Sequence, residues 1–97
     1  MLNIEFHANA LAEFKQATIW YNNQRKGLGK EFFEEVNSSI DLISKNPDIW
    51  PKYLKYLHRL ILKRFPYNIV YRVKPDAIEI IAIAHQKKKP GYWQYRV

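Results

Sequence analysis

The sequence predicts an α+β domain in which a hairpin of two helices packs on a mainly antiparallel sheet, with the element order β-α-α-β-β-β. Two observations predict this fold. In the first half of the chain, apolar residues recur every three or four positions, which is the period of a helix. In the second half they alternate, and the short connections favour antiparallel pairing of neighbouring strands. Elements segregated in this way along the chain are typical of α+β domains.

A short strand is predicted at residues 3–7, where Ile4 and Phe6 share one face. A helix follows and runs to about Gln24. Asn9 is its expected N-cap, because the side-chain oxygen can accept hydrogen bonds from the free N–H groups of the first turn. The expected buried stripe consists of positions three and four apart, namely Leu11, Phe14, Thr18 and Tyr21.

The second helix is predicted at residues 30–45, after a tight connection at residues 25–29 in which glycine supplies the necessary backbone freedom. Asn46-Pro47 ends this helix, because a proline disfavours the helical conformation of the residue before it. Two helices joined by so short a link form an antiparallel hairpin. The expected buried stripe of the second helix is Phe33, Val36, Ile40 and Ile43.

The rest of the fold is predicted from the second half of the chain. Residues 48–56 are aromatic and loop-like. A proline at position 66 and a turn at residues 74–77 then separate the strands from one another. The third of these strands is the most apolar, so we expect it to be central. The predicted strands are residues 58–65, 67–73 and 78–85, and the whole chain, residues 1–97, is expected to be a single domain.

Charge is distributed unevenly along the chain, which carries a net charge of +7. Residues 1–49 contain five Lys/Arg and seven Asp/Glu, giving −2, whereas residues 50–97 contain eleven Lys/Arg and two Asp/Glu, giving +9. A positive field of this kind attracts RNA, DNA or an acidic partner protein. Solubility alone requires no such separation of sign, so we expect a function carried on a basic surface.

Several features restrict the class of protein. The sequence has no cysteine, which excludes disulfides and thiolate metal sites, and neither a metal ion nor a cofactor is expected. Residues 1–5 lack the basic and apolar segments of a signal peptide. No stretch approaches the roughly 20 apolar residues of a membrane span. We therefore expect a cytoplasmic protein with no membrane partner.

A series of short motifs runs through almost the whole chain. The motifs are Trp20-Tyr21, Gly27-Leu28-Gly29, Phe32, Asn46-Pro47, Arg59, Arg64-Phe65-Pro66-Tyr67-Asn68-Ile69-Val70-Tyr71, the apolar strand ending at His85, and then Pro90, Trp93 and Arg96. In this order they resemble the RelE/ParE superfamily of type II toxin–antitoxin toxins, and its ParE-like branch most closely. The segment Phe-Pro-Tyr-x-Ile-x-Tyr with the later His, Pro and Trp is moderately specific for this superfamily, and the complete order of the motifs is strongly specific.

The resemblance implies the RelE-like α+β fold, inhibition of bacterial growth, and an antitoxin partner, expected to be acidic and encoded by an adjacent gene. ParE-type members poison DNA gyrase, and RelE-type members cleave mRNA in the ribosome. We expect a ParE-like toxin that acts on gyrase. The alternatives are a ribosome-dependent mRNA endonuclease and an inactive basic binding module.

The nuclease alternative has its own candidate residues. RNA cleavage without a metal needs a base for the 2′-hydroxyl, a cation for the added negative charge and an acid for the leaving oxygen. His85, Arg64 and Arg72 lie in stretches comparable to those that carry the working residues of RelE-type nucleases. Histidine exchanges protons near neutral pH, and arginine is a permanent cation. Alternatively, His85 simply ends its strand and hydrogen-bonds a neighbouring loop.

A second set of candidates is expected to bind the target, because basic residues interleaved with aromatic ones can hold a phosphate backbone and stack on bases. We expect Arg59, Lys63 and Arg64 on one strand, with Arg59 and Lys63 on the same face. The alternatives are that Arg59 pairs with an acidic group on the helices and that Trp93 folds back over the core. The candidates are Arg59, Lys63, Lys87, Lys88, Lys89, Tyr92 and Trp93.

Overall fold

Six helices and strands follow one another in the predicted order in the computed structural model, which describes residues 2–54 and 56–97. Met1, in the N-terminal segment, and Lys55, in the predicted loop, lie outside the described residues. A short 3-10 helix, Gln94–Arg96, follows in the tail. The elements are β1 (Asn3–Phe6), α1 (Ala8–Gln24), α2 (Leu28–Lys45), β2 (Leu57–Ile61), β3 (Tyr67–Val73) and β4 (Ala77–His85).

The four strands form one mixed sheet in the order β1-β4-β3-β2. Strands β2, β3 and β4 pair antiparallel, which confirms the predicted meander, and β4 lies inside the sheet as expected. The first strand completes the sheet by pairing parallel with β4, with Asn3 opposite Ala77. Two helices packed on a mostly antiparallel sheet confirm the predicted α+β class. No helix within the described residues is long and apolar enough to cross a membrane.

A β-bulge in β4 changes which residues face the helices. Val70 of β3 pairs with Ala82, whereas the next residue, Tyr71, pairs with Ile80, so Ile81 is an extra residue in β4. Ile80 before the bulge packs in the core beneath the helices, while Ile81 and Ala82 belong to a separate cluster on the opposite face, the outer face of the sheet. The bulge therefore places the two consecutive residues Ile81 and Ala82 on the same, outer face.

The first helix begins earlier than predicted. Its N-cap is His7, whose Nδ1 accepts a hydrogen bond of 3.1 Å from the backbone N–H of Asn9, so the expectation that Asn9 is the N-cap is wrong. In both helices, some buried residues also lie one position before the predicted ones. Ala10 is buried instead of Leu11, and Phe32 is buried instead of Phe33. Leu11 is 38% exposed and Phe33 is 47% exposed. The buried side chains of the two helices include Ala10, Phe14, Ala17 and Tyr21, and Phe32, Val36, Ile40 and Ile43.

The helix hairpin is closed at two glycines. Gly27 is the N-cap of α2 and has a φ of 90°, in the left-handed region that favours glycine. A Cβ atom at Gly29 would lie 2.6 Å from the carbonyl oxygen of Thr18 and 2.8 Å from the Cβ of Asn22. The absence of a side chain at position 29 therefore permits the close contact between α1 and α2.

The strand predicted at residues 58–65 is shorter than expected, because β2 ends at Ile61. The Glu35 carboxylate of α2 accepts hydrogen bonds from the backbone N–H groups of Lys63 at 2.9 Å and Arg64 at 3.3 Å. These backbone groups bind a helix side chain instead of another strand. Lys63 and Arg64 therefore lie in the β2–β3 connection, and the expectation that they share a strand with Arg59 is wrong.

The C-terminal tail folds back over the outer face of the sheet. Trp93 is only 2% exposed, and its cluster on this face contains Leu57, Val70, Ile81, Ala82 and Ala84. Tyr53 and Tyr92 pack against the same cluster from its margin. The sheet is thus covered on one face by the helices and on part of the other by the tail. The expectation that Trp93 contacts the target directly is corrected, because its ring lies in the core.

Candidate functional site

The three nuclease candidates do not come together. Arg72 lies on the outer face of β3 and binds the Glu79 carboxylate of β4 at 2.5 Å. His85 is at the other end of the same strand pair, opposite Tyr67. Tyr67 and Arg72 are five positions apart on β3, which corresponds to about 17 Å of strand. A single scissile phosphate therefore could not contact both Arg72 and His85.

Arg64 lies beside α2, where its guanidinium binds the Glu31 carboxylate at 2.6 Å. Arg25 binds the other oxygen of Glu31 at 3.2 Å. The hydrogen bond from Arg64, together with the nearby Arg25, holds the pKa of Glu31 below its usual value. This pair of exposed arginines therefore stabilises a carboxylate of the protein itself, and Arg64 is engaged before any substrate arrives.

His85 forms a local hydrogen bond at the end of β4. Its Nδ1 accepts the backbone N–H of Lys87 at 3.0 Å, and its ring lies edge-on to Tyr67 with the centroids 5.0 Å apart. With Nδ1 engaged as an acceptor, the neutral ring carries its proton on Nε2, so it has a free donor but no free acceptor for general-base chemistry. This geometry matches the alternative of a histidine that ends a strand and binds the adjacent turn.

The outer face of the sheet carries the most organised group of target-binding candidates. The guanidinium carbon of Arg59 lies 4.2 Å from the ring centroid of Tyr53. Because Arg59 lies on the face opposite the helices, it does not pair with a helix carboxylate, and that expectation is wrong. Lys88 and Lys89 lie across a small depression from Arg59. We call Arg59, Lys88 and Lys89 the outer basic group.

The remaining candidates lie apart from this depression or support it. Lys87 is exposed in the turn after β4. Tyr92 is partly buried, and the Lys88 ammonium lies 5.3 Å from its ring centroid. Lys63 lines a separate groove between α2 and β2 that is bordered by Glu31, Glu34 and Glu35. The candidates thus form two separate groups, and in the outer one Arg59 and Lys88 lie against the rings of Tyr53 and Tyr92.

A hydrogen-bonded cluster beneath the tail was not predicted from the sequence. The Glu13 carboxylate of α1 accepts hydrogen bonds from the Tyr92 hydroxyl at 2.5 Å and from the Arg96 guanidinium at 2.9 and 3.0 Å. Glu13 also accepts the backbone N–H of Ile83 at 3.1 Å, and Arg96 donates to the carbonyl of Ile81 at 3.0 Å. We call Glu13, Tyr92 and Arg96 the Glu13 cluster.

The Glu13 cluster holds the tail against β4 at the position where β1 has ended. Burial and the neighbouring Glu13 carboxylate raise the pKa of Tyr92, so its hydroxyl remains a donor. Tyr92 and Arg96 lie 79 and 83 residues after Glu13 in the sequence, so no local pattern could have indicated the contact. The only signal was the presence of Arg96 among the motifs of the family resemblance.

The described residues contain no group of three or more His, Asp and Glu side chains that could hold a metal ion. The outer face combines the cations of the outer basic group with a buried tryptophan and partly buried tyrosines.

Comparison with known proteins identifies the family. The family model described as the ParE toxin of the type II toxin–antitoxin system, parDE, matches residues 4–90. A chain of the chromosomal ParDE TA system from P. aeruginosa has a similar fold, with a TM-score of 0.64 and 18% sequence identity, over 88% of this chain and 96% of that chain. No curated protein matches the sequence. Because the family model spans most of the sequence and the fold agrees, the chain belongs to the ParE family of type II toxins.

Proposed function

We propose that this toxin arrests bacterial growth by binding and inhibiting DNA gyrase. Membership of the ParE family supports this target, because gyrase is the target that the family resemblance implies. A type II system also contains an antitoxin, which binds the toxin and neutralises it. Inhibition by binding requires a complementary surface on the toxin but no catalytic residues.

The observation that carries the proposal is the separation of the nuclease candidates. Arg64 binds Glu31 beside α2, Arg72 binds Glu79 on the outer face, and His85 binds the turn that follows it. General acid–base catalysis needs its groups within hydrogen-bonding reach of one reacting centre. The arrangement therefore supports binding to a protein target over cleavage of RNA.

The outer basic group is the surface that we assign to the target. Arg59 is held against Tyr53, and the partly buried Tyr53 and Tyr92 pack around the buried Trp93. Arginine and aromatic side chains contribute a large share of the binding energy of protein interfaces. The positive charge of the second half of the chain would speed association with an acidic surface.

Inducible expression in bacteria tests the proposal. We expect growth to stop, plasmid DNA to lose negative supercoiling and mRNA to remain intact. Purified toxin should inhibit supercoiling by purified gyrase in the same concentration range in which the two proteins bind. Cleavage of mRNA with normal supercoiling would instead identify a ribosome-dependent endonuclease. Normal growth at high soluble expression would identify an inactive binding module.

The variant Arg64→Gln separates the two active alternatives. Arg64 binds Glu31 beside α2, away from the depression next to the Arg59–Tyr53 pair, so a gyrase inhibitor should retain growth arrest. His85 is left unchanged because it lines that depression. A nuclease that depends on Arg64 should lose growth arrest. Thermal melting of the variant provides the control that the fold is intact.

A further inference from the structure

The arginines of this chain differ in whether a carboxylate neutralises them. The sequence contains five arginines, and four of them bind a carboxylate of the protein. Within residues 2–54 and 56–97, Arg59 is the one arginine that has no carboxylate within ion-pair distance. The four paired arginines are Arg25, Arg64, Arg72 and Arg96.

Arg59 is nevertheless held in a defined position. Its guanidinium carbon lies 4.2 Å from the ring centroid of Tyr53, a distance at which the cation is attracted by the face of the ring. Tyr53 in turn packs against the buried Trp93, with the ring centroids 5.8 Å apart. A guanidinium fixed on a packed ring loses little side-chain entropy when it binds, and its planar N–H groups match the geometry of a carboxylate.

A depression of about 70 Å³ lies between Arg59, Lys88 and Lys89. This volume is about twice the share of one water molecule in the liquid, so it accommodates a carboxylate group. Asn68 also lines the depression, and its Oδ1 is buried without a hydrogen-bond partner among the described residues. Rotation of the amide would present Nδ2 to a bound anion and remove this unsatisfied group.

A second, wider depression of about 270 Å³ lies on the other side of the Arg59–Tyr53 pair. It is lined largely by apolar and aromatic side chains, including Trp50, Pro51 and Ile61, of which Ile61 is 55% exposed. The cationic depression is thus adjacent to an apolar one. An acidic residue next to an apolar residue on a partner would match both.

The neighbouring aromatic rings favour a protein ligand over a nucleic acid. Trp93 is 2% exposed, Arg59 covers a face of Tyr53, and the Tyr92 ring lies 5.3 Å from both the Lys88 ammonium and the Arg96 guanidinium. Single-stranded nucleic acids are bound largely by stacking of bases on free ring faces. Rings that are buried or already in contact with cations are poorly suited to that role, whereas a carboxylate requires only the cations.

We propose that Arg59 binds an aspartate or glutamate side chain of the protein target. Lys88, Lys89 and Asn68 surround the carboxylate, and the adjacent apolar depression holds the residue beside it. This carboxylate site extends the proposed function, because it names the chemistry by which the toxin recognises gyrase. A partner lacking an exposed acidic residue beside an apolar one would not bind at this face.

A binding experiment on the full chain tests the site without reference to gyrase. A tetraglutamate peptide is added to the isotope-labelled protein while the NMR signals of the Arg59 Nε–H and the Asn68 side-chain amide are followed. We expect a saturable shift of both signals, no shift with tetraglutamine, and loss of the Asn68 shift in Arg59→Gln. Arg25→Gln, which removes an exposed arginine elsewhere, should respond like the wild type.

The same experiment contains the result that would overturn the inference. Equal shifts of all exposed lysines and arginines would show that the peptide is bound only by general charge attraction. Tighter binding of a single-stranded oligoribonucleotide than of tetraglutamate at Arg59 and Asn68 would assign the site to nucleic acid.

A gyrase assay connects the carboxylate site to inhibition. The toxin concentration that halves supercoiling should rise at least about tenfold in Arg59→Gln and in Arg59→Lys, since lysine keeps the charge but loses the forked, stacked geometry. It should not change in Arg25→Gln. If the wild type fails to inhibit gyrase, the proposed target is wrong and the peptide experiment still decides the site. If the wild type and Arg59→Gln inhibit equally, the carboxylate site is wrong.

Discussion

At the scale of single residues, the position of the tail depends on Trp93. Its indole is 2% exposed and packs against Val70, Ala82 and Ala84 on the outer face of the sheet. Trp20 offers a matched comparison within the same chain, because its ring is 57% exposed on α1. The sequence alone does not distinguish these two tryptophans, since each has charged or polar residues close to it.

Replacement of Trp93 by alanine should lower the free energy of unfolding by about 3–5 kcal/mol, as expected when a large buried ring is removed and a cavity remains. Replacement of Trp20 by alanine should cost about 1 kcal/mol or less, because much of that ring is already in water. Urea denaturation measures both values. Equal losses of stability in the two variants would contradict the burial of Trp93.

The Tyr71 hydroxyl donates a hydrogen bond of 2.7 Å to the carbonyl of Pro47, and burial raises the pKa of Tyr71 to about 12. The folded-state pKa is therefore above the unfolded value of 10.0. This contribution to stability is complete below pH 10 and is lost as the pH rises through 12. Tyr71→Phe should lose less stability over this interval than the wild type does.

Urea denaturation at a series of alkaline pH values tests the effect of Tyr71. The pKa values of Tyr21, Tyr67 and Tyr92 are also raised, so Tyr71→Phe should still lose some stability at alkaline pH. Tyr56→Phe, at a ring that is 66% exposed, is the control and should follow the wild type. A Tyr71→Phe curve parallel to the wild-type curve would rule out the proposed contribution.

At the scale of elements, the helix hairpin depends on a close contact between two backbones. A Cβ at Gly29 would meet the carbonyl of Thr18, which cannot move unless α1 moves with it. Gly29→Ala should therefore lower the free energy of unfolding by roughly 1–3 kcal/mol, despite the better helix propensity of alanine. Lys30→Ala is the control, because Lys30 is the exposed neighbour of Gly29 in α2 and its replacement should leave stability nearly unchanged. A Gly29→Ala variant as stable as the wild type would show that the helices separate without loss.

The element order could be predicted from sequence because each element carries its own period. The bounds of β3 agree with the prediction, and those of β4 differ by one residue. The end of β2 could not be predicted, because Ile61 to Phe65 continues the strand pattern and the Glu35 carboxylate that binds the following backbone comes from α2. The bulge at Ile81 was equally hidden, since an uninterrupted apolar run has no alternation to break.

The candidate site, too, could be predicted only in part from the sequence. Arg59, Lys88 and Lys89 were among the predicted target-binding residues, because basic side chains and aromatic neighbours are visible in the sequence. Tyr53 and Asn68 were not among them. Their roles depend on which side chains meet across the sheet, and the register of the strands is a property of the folded chain.

At the scale of the whole molecule, the basic second half of the chain is folded into two separate surfaces. Lys63 and Arg64 lie beside the carboxylates of α2, whereas Lys88 and Lys89 lie on the outer face. Two double variants with the same change in charge therefore distinguish the surfaces. Lys88→Gln with Lys89→Gln should abolish growth arrest, and Lys63→Gln with Arg64→Gln should retain it.

Growth after induction measures the effect of each double variant, and thermal melting shows whether each one is folded. An exposed ion pair such as that of Arg64 and Glu31 contributes little to stability because solvent screens it, so its loss should leave the fold intact. Loss of growth arrest only in the Lys63/Arg64 variant would show that the target binds at the groove beside α2 instead of at the outer face. Equal weakening of growth arrest in both variants would indicate a long-range effect of net charge.

The Glu13 cluster has a consequence for the order of events during folding. Glu13 is synthesised early, but its partners Tyr92 and Arg96 follow only after nearly all of the domain has been made. The Ile83 N–H can already bind Glu13 of α1, but until Arg96 docks the Ile81 carbonyl has no partner on the side where β1 has ended. Open strand edges recruit other chains, and contacts between distant parts of a chain form slowly. Refolding chains should therefore be most prone to aggregation before the tail docks, and the soluble yield should fall as the protein concentration rises during that interval.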